Sequence, residues 1–200
     1  LVLELVSSVW AVQADTNILS PEGPPPVIDG IVDQAWSLSA ENKITISIGE
    51  GPPDSPQDCS GTWKALWDAQ YLYLLVVVVD DVWQHDSTLT NSWQDDSVEI
   101  YVDGDNSKGS STGTDDFQYR VRYNTEPEVA TEYFHSPDSL KGVQWSSVRT
   151  DTGYIYEVKL PWATMIGGPP QGGPLIGIDV FICDDDNAGG RDHQVAWHAT

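Results

Sequence analysis

The segment Asn91-Ser92-Trp93-Gln94-Asp95-Asp96-Ser97-Val98-Glu99-Ile100-Tyr101 sets an indole on a loop just before a strand. In that strand Glu99 and Tyr101 share one face, while Val98 and Ile100 point to the other. A sugar site needs this combination. A pyranose has an apolar face that stacks on indole and a belt of hydroxyls that need charged or amide partners. A charge-assisted bond to Glu99 contributes about 1.5–3 kcal/mol, and a stacked Trp adds about 1 kcal/mol beyond area burial. Micromolar affinity requires about −8 kcal/mol, so several further contacts are needed. Two readings of the segment stay open: Trp93 stacks on a ligand, or it packs under its loop with Glu99 as a surface strand residue. Arg120, alternating with Val121 in Phe117-Gln118-Tyr119-Arg120-Val121-Arg122, either reaches a ligand or neutralises nearby acids.

Those acids are unevenly placed. Asp80, Asp81, Asp86, Asp95, Asp96, Glu99, Asp103, Asp105, Asp115 and Asp116 crowd into one stretch with Lys108 as its single base. Such crowding is costly unless cations neutralise it or salt screens it as a solvated face. Oxygen ligands of this type would select calcium. Asp184-Asp185-Asp186-Asn187 is a second candidate corner, although it lacks the spacing of an EF-hand loop.

Whole-chain composition narrows the classes. Nine Lys+Arg against 31 Asp+Glu give a formal charge of −22, a field that repels phosphate backbones and anionic membranes. Nucleic-acid and membrane partners are therefore not expected. Hydrophobic residues at 40% can fill a core, and 200 residues fit one all-β domain. Cys59 and Cys183, the only cysteines, allow one disulfide and fit no zinc or redox spacing.

The elements that must position these residues are strands. Runs at Lys43-Ile48, Gly61-Trp67, Tyr71-Val79, Ser97-Val102, Phe117-Tyr123, Val129-Phe134, Val143-Arg149, Gly153-Leu160, Leu175-Cys183 and Gln194-His198 alternate with turn chemistry. About ten strands with little helix predict an all-β, two-sheet antiparallel sandwich, jelly-roll-like. Tyr71 to Val79 is apolar at both parities, so both its faces should be buried. One short helix is expected within Pro161 to Ile166. Residues 1–14 read as a truncated signal peptide, with an N-terminal strand as the alternative, which places the protein outside the cell. Residues 15–26 read as a Pro-rich spacer and 27–200 as the domain.

Val27-Ile28-Asp29-Gly30-Ile31-Val32-Asp33-Gln34-Ala35-Trp36 resembles the opening of family 9 carbohydrate-binding modules. Lys64 to Tyr73, Trp93 to Ile100, Phe117 to Val121, Gly153-Tyr154 and Ile176 to Asp179 follow in family order, covering about Val27 to Trp197. The resemblance implies a calcium-stabilised sandwich that binds plant polysaccharide such as xylan or cellulose, sometimes by clamping a chain end between two tryptophans. It implies a secreted monomer, non-catalytic, attached to or working with a glycoside hydrolase. Trp93 matches one clamp aromatic, Glu99 and Arg120 match sugar contacts, and Asp80, Asp96 and Asp184 fall where metal is bound. Three departures stand out. Phe181 replaces an expected amide, Arg122 replaces an asparagine, and the second clamp tryptophan falls beyond the stretch matching Ala196-Trp197, so either the domain is C-terminally truncated or the module binds differently. Trp83, in the same loop as Trp93, is the candidate substitute, or else a core-facing residue. Trp36, Trp67 and Trp162 read as packing residues.

Other classes would use other groups. A glycosidase needs two carboxylates facing each other about 5–9 Å apart, for which Glu99, Glu132 and Glu157 are candidates. A haem-binding electron-transfer sandwich would draw ligands from Met165, His85, His135, His193 and His198. An adhesion module would need neither. Neither GxxxxGK[ST] nor HExxH occurs in the sequence.

Overall fold

The computed structural model describes residues 2–6, 17–87, 89–108, 113–122, 131–132, 140–166 and 175–198. Their strands are β1 (Val2–Val6), β2 (Asn17–Pro21), β3 (Asn42–Ile44), β4 (Ile46–Ile48), β5 (Cys59–Trp67), β6 (Tyr71–Asp80) and β7 (Ser97–Asp103). The remainder are β8 (Asp116–Arg122), β9 (Thr131–Glu132), β10 (Gln144–Thr150), β11 (Gly153–Pro161), β12 (Leu175–Asp184) and β13 (His193–Ala196). They form two sheets, as the alternation predicted. One has eight strands in the order β2-β1-β12-β7-β8-β9, with β13 and β4 branching from β12; the other has five in the order β10-β11-β6-β5-β3. All pairings are antiparallel except β1 with β2.

Thirteen strands exceed the ten expected for two local reasons. Lys43-Ile48 is not one strand: β3 pairs with β5 in one sheet and β4 with β13 in the other, and the chain crosses at Thr45. Corners of this kind let one strand close the end of a sandwich. The other two additions, β1 and β2, lie in the segments read as leader and spacer, where β1 pairs with Leu175, Ile176 and Gly177. Ser20 of β2 is buried and donates to the Ala65 carbonyl at 2.8 Å. The Val129-Phe134 run is described only at its two central residues. The helix is α1 (Trp162–Met165), capped by Pro161.

The main core lies between the sheets, where Trp63, Leu74, Val76, Val98, Ile100, Tyr156, Val158, Val180 and Ile182 are all buried. The odd positions of β6 (Tyr71, Tyr73, Leu75, Val77) point away from that core, and Trp36 covers them in a second cluster. This explains why Tyr71 to Val79 is apolar at both parities. The cover is the Val27-Trp36 motif itself. Buried Glu157, on the outward face of β11, accepts bonds from the Asp29 and Gly30 N–H groups (3.0 and 2.8 Å) and from Trp36 Nε1 (2.8 Å). Gly30 has φ +82°, and a Cβ there would lie 2.3 Å from Val148 Cγ2, so only glycine fits. Asp33 accepts from Val27 and Ala35 N–H and starts the short 3-10 turn Gln34–Leu38. Glu157→Gln turns an amide donor toward N–H groups that need an acceptor. It should cost about 1–3 kcal/mol of stability in a denaturant melt and leave ligand binding unchanged, because the clasp is on the far sheet.

A disulfide between the two cysteines, allowed by their number, is not formed. Both are buried free thiols. Cys59 faces the inter-sheet core, whereas Cys183 is on the outer face of the eight-stranded sheet, 3.3 Å from Gln194 Nε2 and 3.5 Å from Arg191 Nη1.

Candidate carbohydrate-binding site

The outer face of the eight-stranded sheet is polar where the inner face is apolar. β7, β8 and β13 present Glu99 and Tyr101, Gln118 and Arg120, and Gln194 to it, and all are buried or half-buried. With Trp93 and Arg191 they line a cleft of about 280 Å³. Trp93 comes from the 3-10 stretch Leu89–Gln94, and Arg191 from the loop between β12 and β13.

Glu99, only 2% exposed, is the hub. It is opposite Arg120 in the β7–β8 register, and its Oε1 accepts from Arg120 Nε at 2.6 Å and from Nη2. Its Oε2 accepts from the Tyr101 hydroxyl at 2.8 Å and from Gln194 Nε2 at 3.2 Å. Burial first, and then the Glu99 charge, push the Tyr101 hydroxyl far above its ordinary range, so it stays a donor. A carboxylate held by a guanidinium, a phenol and an amide is fixed in place before any ligand arrives. The same cleft is lined by Trp93, half-buried, with the Arg191 guanidinium 5.4 Å from its ring centroid. Arg191 is tethered in turn to Glu50, with Nη2 and Nε 2.7 and 3.2 Å from Glu50 Oε1.

Of the five expected binding residues, the fold brings Trp93, Glu99 and Arg120 into this cleft. Arg122 and Trp83 do not line it. Arg122 follows Arg120 on the same face, but its Nη1 donates to buried Asp95 at 2.6 Å and to the Ser87 carbonyl at 3.0 Å, so it anchors the loop that carries Trp93. Trp83 packs against the main core, with Arg149 5.9 Å from its ring centroid. Phe181 takes the place of the expected amide and packs on Tyr101 (centroids 4.7 Å apart), while Gln194 of the neighbouring strand supplies an amide instead. Alternation in His193–Ala196 could have flagged Gln194. Arg191 sits on a loop and carries no such signal. Trp36 and Trp162 are 1% exposed and Trp67 bonds the Ser20 carbonyl, as packing residues should. Trp197 also packs, edge-on to buried Trp63.

Glu99 and Glu157, two of the glycosidase candidates, do not face each other. Glu99 and Glu157 lie on the outer faces of opposite sheets with the whole core between them. Met165 packs in that core, and the Glu132 side chain and His135 fall outside the described residues.

At one end of the sandwich, Asp80, Asp96 and Asp184 each offer an oxygen, all within 4.8 Å of one another and all buried. Asp80 accepts from the Tyr154 hydroxyl and Val82 N–H, and Asp96 from Gln84 and Asp185 N–H. Both oxygens of Asp184, 0% exposed, have no hydrogen-bond partner. Burial, followed by repulsion from Asp80 and Asp96, raises the Asp184 pKa to about 9; burial raises the other two as well, joined by repulsion from Asp80 on Asp96 and from Asp186 and Asp81 on Asp80. An all-carboxylate set with an orphaned member fits a hard divalent cation.

A family description, carbohydrate family 9 binding domain-like, matches residues 28–200. Endo-1,4-beta-xylanase A of Thermoanaerobacterium saccharolyticum is 34% identical over 176 residues, covering 86% of this chain and 14% of that enzyme. Exoglucanase XynX of Acetivibrio thermocellus is 34% identical over 173 residues with the same coverage. The chain thus spans 14% of the length of these curated relatives. A family 9 module from Caldicellulosiruptor kristjanssonii in complex with cellotriose superposes with a TM-score of 0.72 at 25% identity, over 87% of this chain and 80% of that one. A structure of a family 9 module from the same organism in complex with glucose gives 0.73 at 24% identity, over 88% and 83%. The chain therefore belongs to the family 9 carbohydrate-binding modules, non-catalytic β-sandwiches.

Proposed function

We propose that the chain binds β-linked plant polysaccharide, xylan or cellulose or their chain ends, in the cleft lined by Trp93, Glu99 and Arg120. The observation that carries this is one preorganised carboxylate hub and one half-buried indole lining a single cleft, on a family 9 scaffold. The indole takes the apolar face of a pyranose. Glu99 accepts from one sugar hydroxyl in place of the Gln194 amide, the longest of its four bonds, and Arg120, Gln194 and Gln118 supply the remaining polar contacts. Arg191 leaves the indole face as a ring enters and keeps Glu50 as its tether. Support for the ligand class comes from the Caldicellulosiruptor module in complex with cellotriose and from xylanase relatives. In the same reading the module is a secreted monomer that targets an attached or associated glycoside hydrolase to its substrate.

Trp93→Ala should weaken cellotriose or xylotriose binding by about tenfold or more in calorimetry, since stacking and apolar area are both lost. Unchanged affinity would place the site elsewhere.

We also propose calcium as a resident structural ion at Asp80, Asp96 and Asp184. It would neutralise three buried carboxylates and so tie β6 of one sheet to β12 of the other and to the loop that carries Trp93. What supports it is the partnerless, fully buried Asp184 carboxylate.

A further inference from the structure

Asp184 belongs to a second cluster that its family resemblance does not name. Asp58, just before β5, Asp184, at the end of β12, and His193, at the start of β13, each offer one ligand atom, all within 4.8 Å of one another. Asp184 and His193 are register partners in the β12–β13 pair. We propose that these three residues form a mixed nitrogen and oxygen cation site that takes a transition metal of the zinc class, adjoining the all-oxygen triad.

The orphaned Asp184 carboxylate points to a ligand there. Both Asp184 oxygens are enclosed without a hydrogen-bond partner, so one can serve the triad and the other this site. His193 Nε2 faces Asp58 Oδ2 at 3.8 Å and is the nitrogen that would serve this site. Asp58 is itself buried and held by the Asp54 N–H at 2.6 Å. Zinc takes nitrogen and carboxylate ligands at about 2.0–2.2 Å in a tetrahedron, which places neighbouring ligand atoms about 3.3 Å apart. Groups already within 4.8 Å reach this by small side-chain rotations. Imidazole is what separates the site from its neighbours: calcium selects oxygen, and a histidine nitrogen suits zinc, copper or nickel. Asp58 also stands with Asp81 and Asp186 in an all-carboxylate group, which has no such preference. A filled site would join the start of β5 in one sheet to the β12–β13 pair in the other.

The test is a zinc chloride titration of the calcium-saturated chain by calorimetry, with metal content measured by mass spectrometry and cobalt(II) absorption as a coordination probe. One zinc per chain is expected beyond the calcium content. His193→Gln should weaken zinc binding at least tenfold and remove the nitrogen-ligated cobalt spectrum, with calcium content unchanged, and Asp58→Asn should weaken zinc similarly. His85→Gln and His198→Gln should bind zinc as the parent does. No zinc bound by the parent chain, or equal zinc bound by folded His193→Gln, overturns the proposal. If His193→Gln does not fold by circular dichroism, Asp58→Asn and the cobalt spectrum of the parent decide the matter on the same criteria.

Discussion

Arg120→Met is expected to lower stability by about 3–5 kcal/mol, because it strands the Glu99 carboxylate inside the protein with only neutral donors. For a domain of this size each kcal/mol moves the melting temperature by about 2–4 °C, so the drop should be on the order of 10 °C. Sugar binding should be lost with it. The double variant Glu99→Gln/Arg120→Met removes both charges. Its stability should return to within about 1–2 kcal/mol of the parent, because a buried ion pair is costly to break singly but not jointly. Binding should stay absent, since the hydroxyl partners are gone. This pattern separates the two roles of the pair: thermal melts report the folding role and calorimetry the ligand role. Parent-like sugar affinity in Arg120→Met would show that the cleft is not the site. A parent-like melt would show that the pair is solvated.

The second large effect is chelation. A bound ion at one hundred times its Kd stabilises the fold by about 2.7 kcal/mol, so removing calcium should lower the melting temperature by about 5–10 °C. The dependence on pH should also change sign. Without metal, Asp184 has a folded pKa of about 9, against about 4 for an unfolded Asp. A raised carboxylate pKa means that the fold prefers the protonated form. Stability of the metal-free chain is then highest at low pH and falls as pH rises through the window from about 4 to about 9. With calcium the three carboxylates are held ionised. The calcium contribution is then present at neutral pH and is lost as pH falls and protons compete for the oxygens. Melts in chelator and in excess calcium between about pH 5 and 8 should therefore slope in opposite directions. Asp184→Asn should remove most of the chelator effect. Equal melts with and without chelator, with parallel slopes, would leave these acids without a structural ion.

Strand alternation alone revealed most of the sandwich, because each strand's period of two records which residues face a core. The doubly apolar run from Tyr71 to Val79 even recorded the second cluster, although not what covers it. Its cover turned out to be the Val27-Trp36 motif, clasped by Glu157 from 121 residues away. Trp93 and Glu99 were legible as a pair because seven consecutive residues of one loop and strand carry both. Arg120 and Arg122 show where such reading stops. Both lie on the same face of β8, yet one pairs with Glu99 in the cleft and the other with Asp95 under a loop. Alternation fixes the face of a residue and is silent about the loop folded over it. Arg191 and Gln194 reach the cleft only because β13 lies beside β12, next to β7, and the preceding loop turns back toward Trp93.

The acidic excess was equally plain in composition, but charge in a sequence has no depth. Asp184 became distinctive only when folding removed water from both its oxygens and put no N–H group in its place. The sequence by itself determined the sheets, the indole just ahead of Glu99 and the supply of carboxylates. The tertiary structure decided which carboxylates are desolvated together and which cations face them, because desolvation and ion pairing depend on neighbours that the chain brings together from far apart.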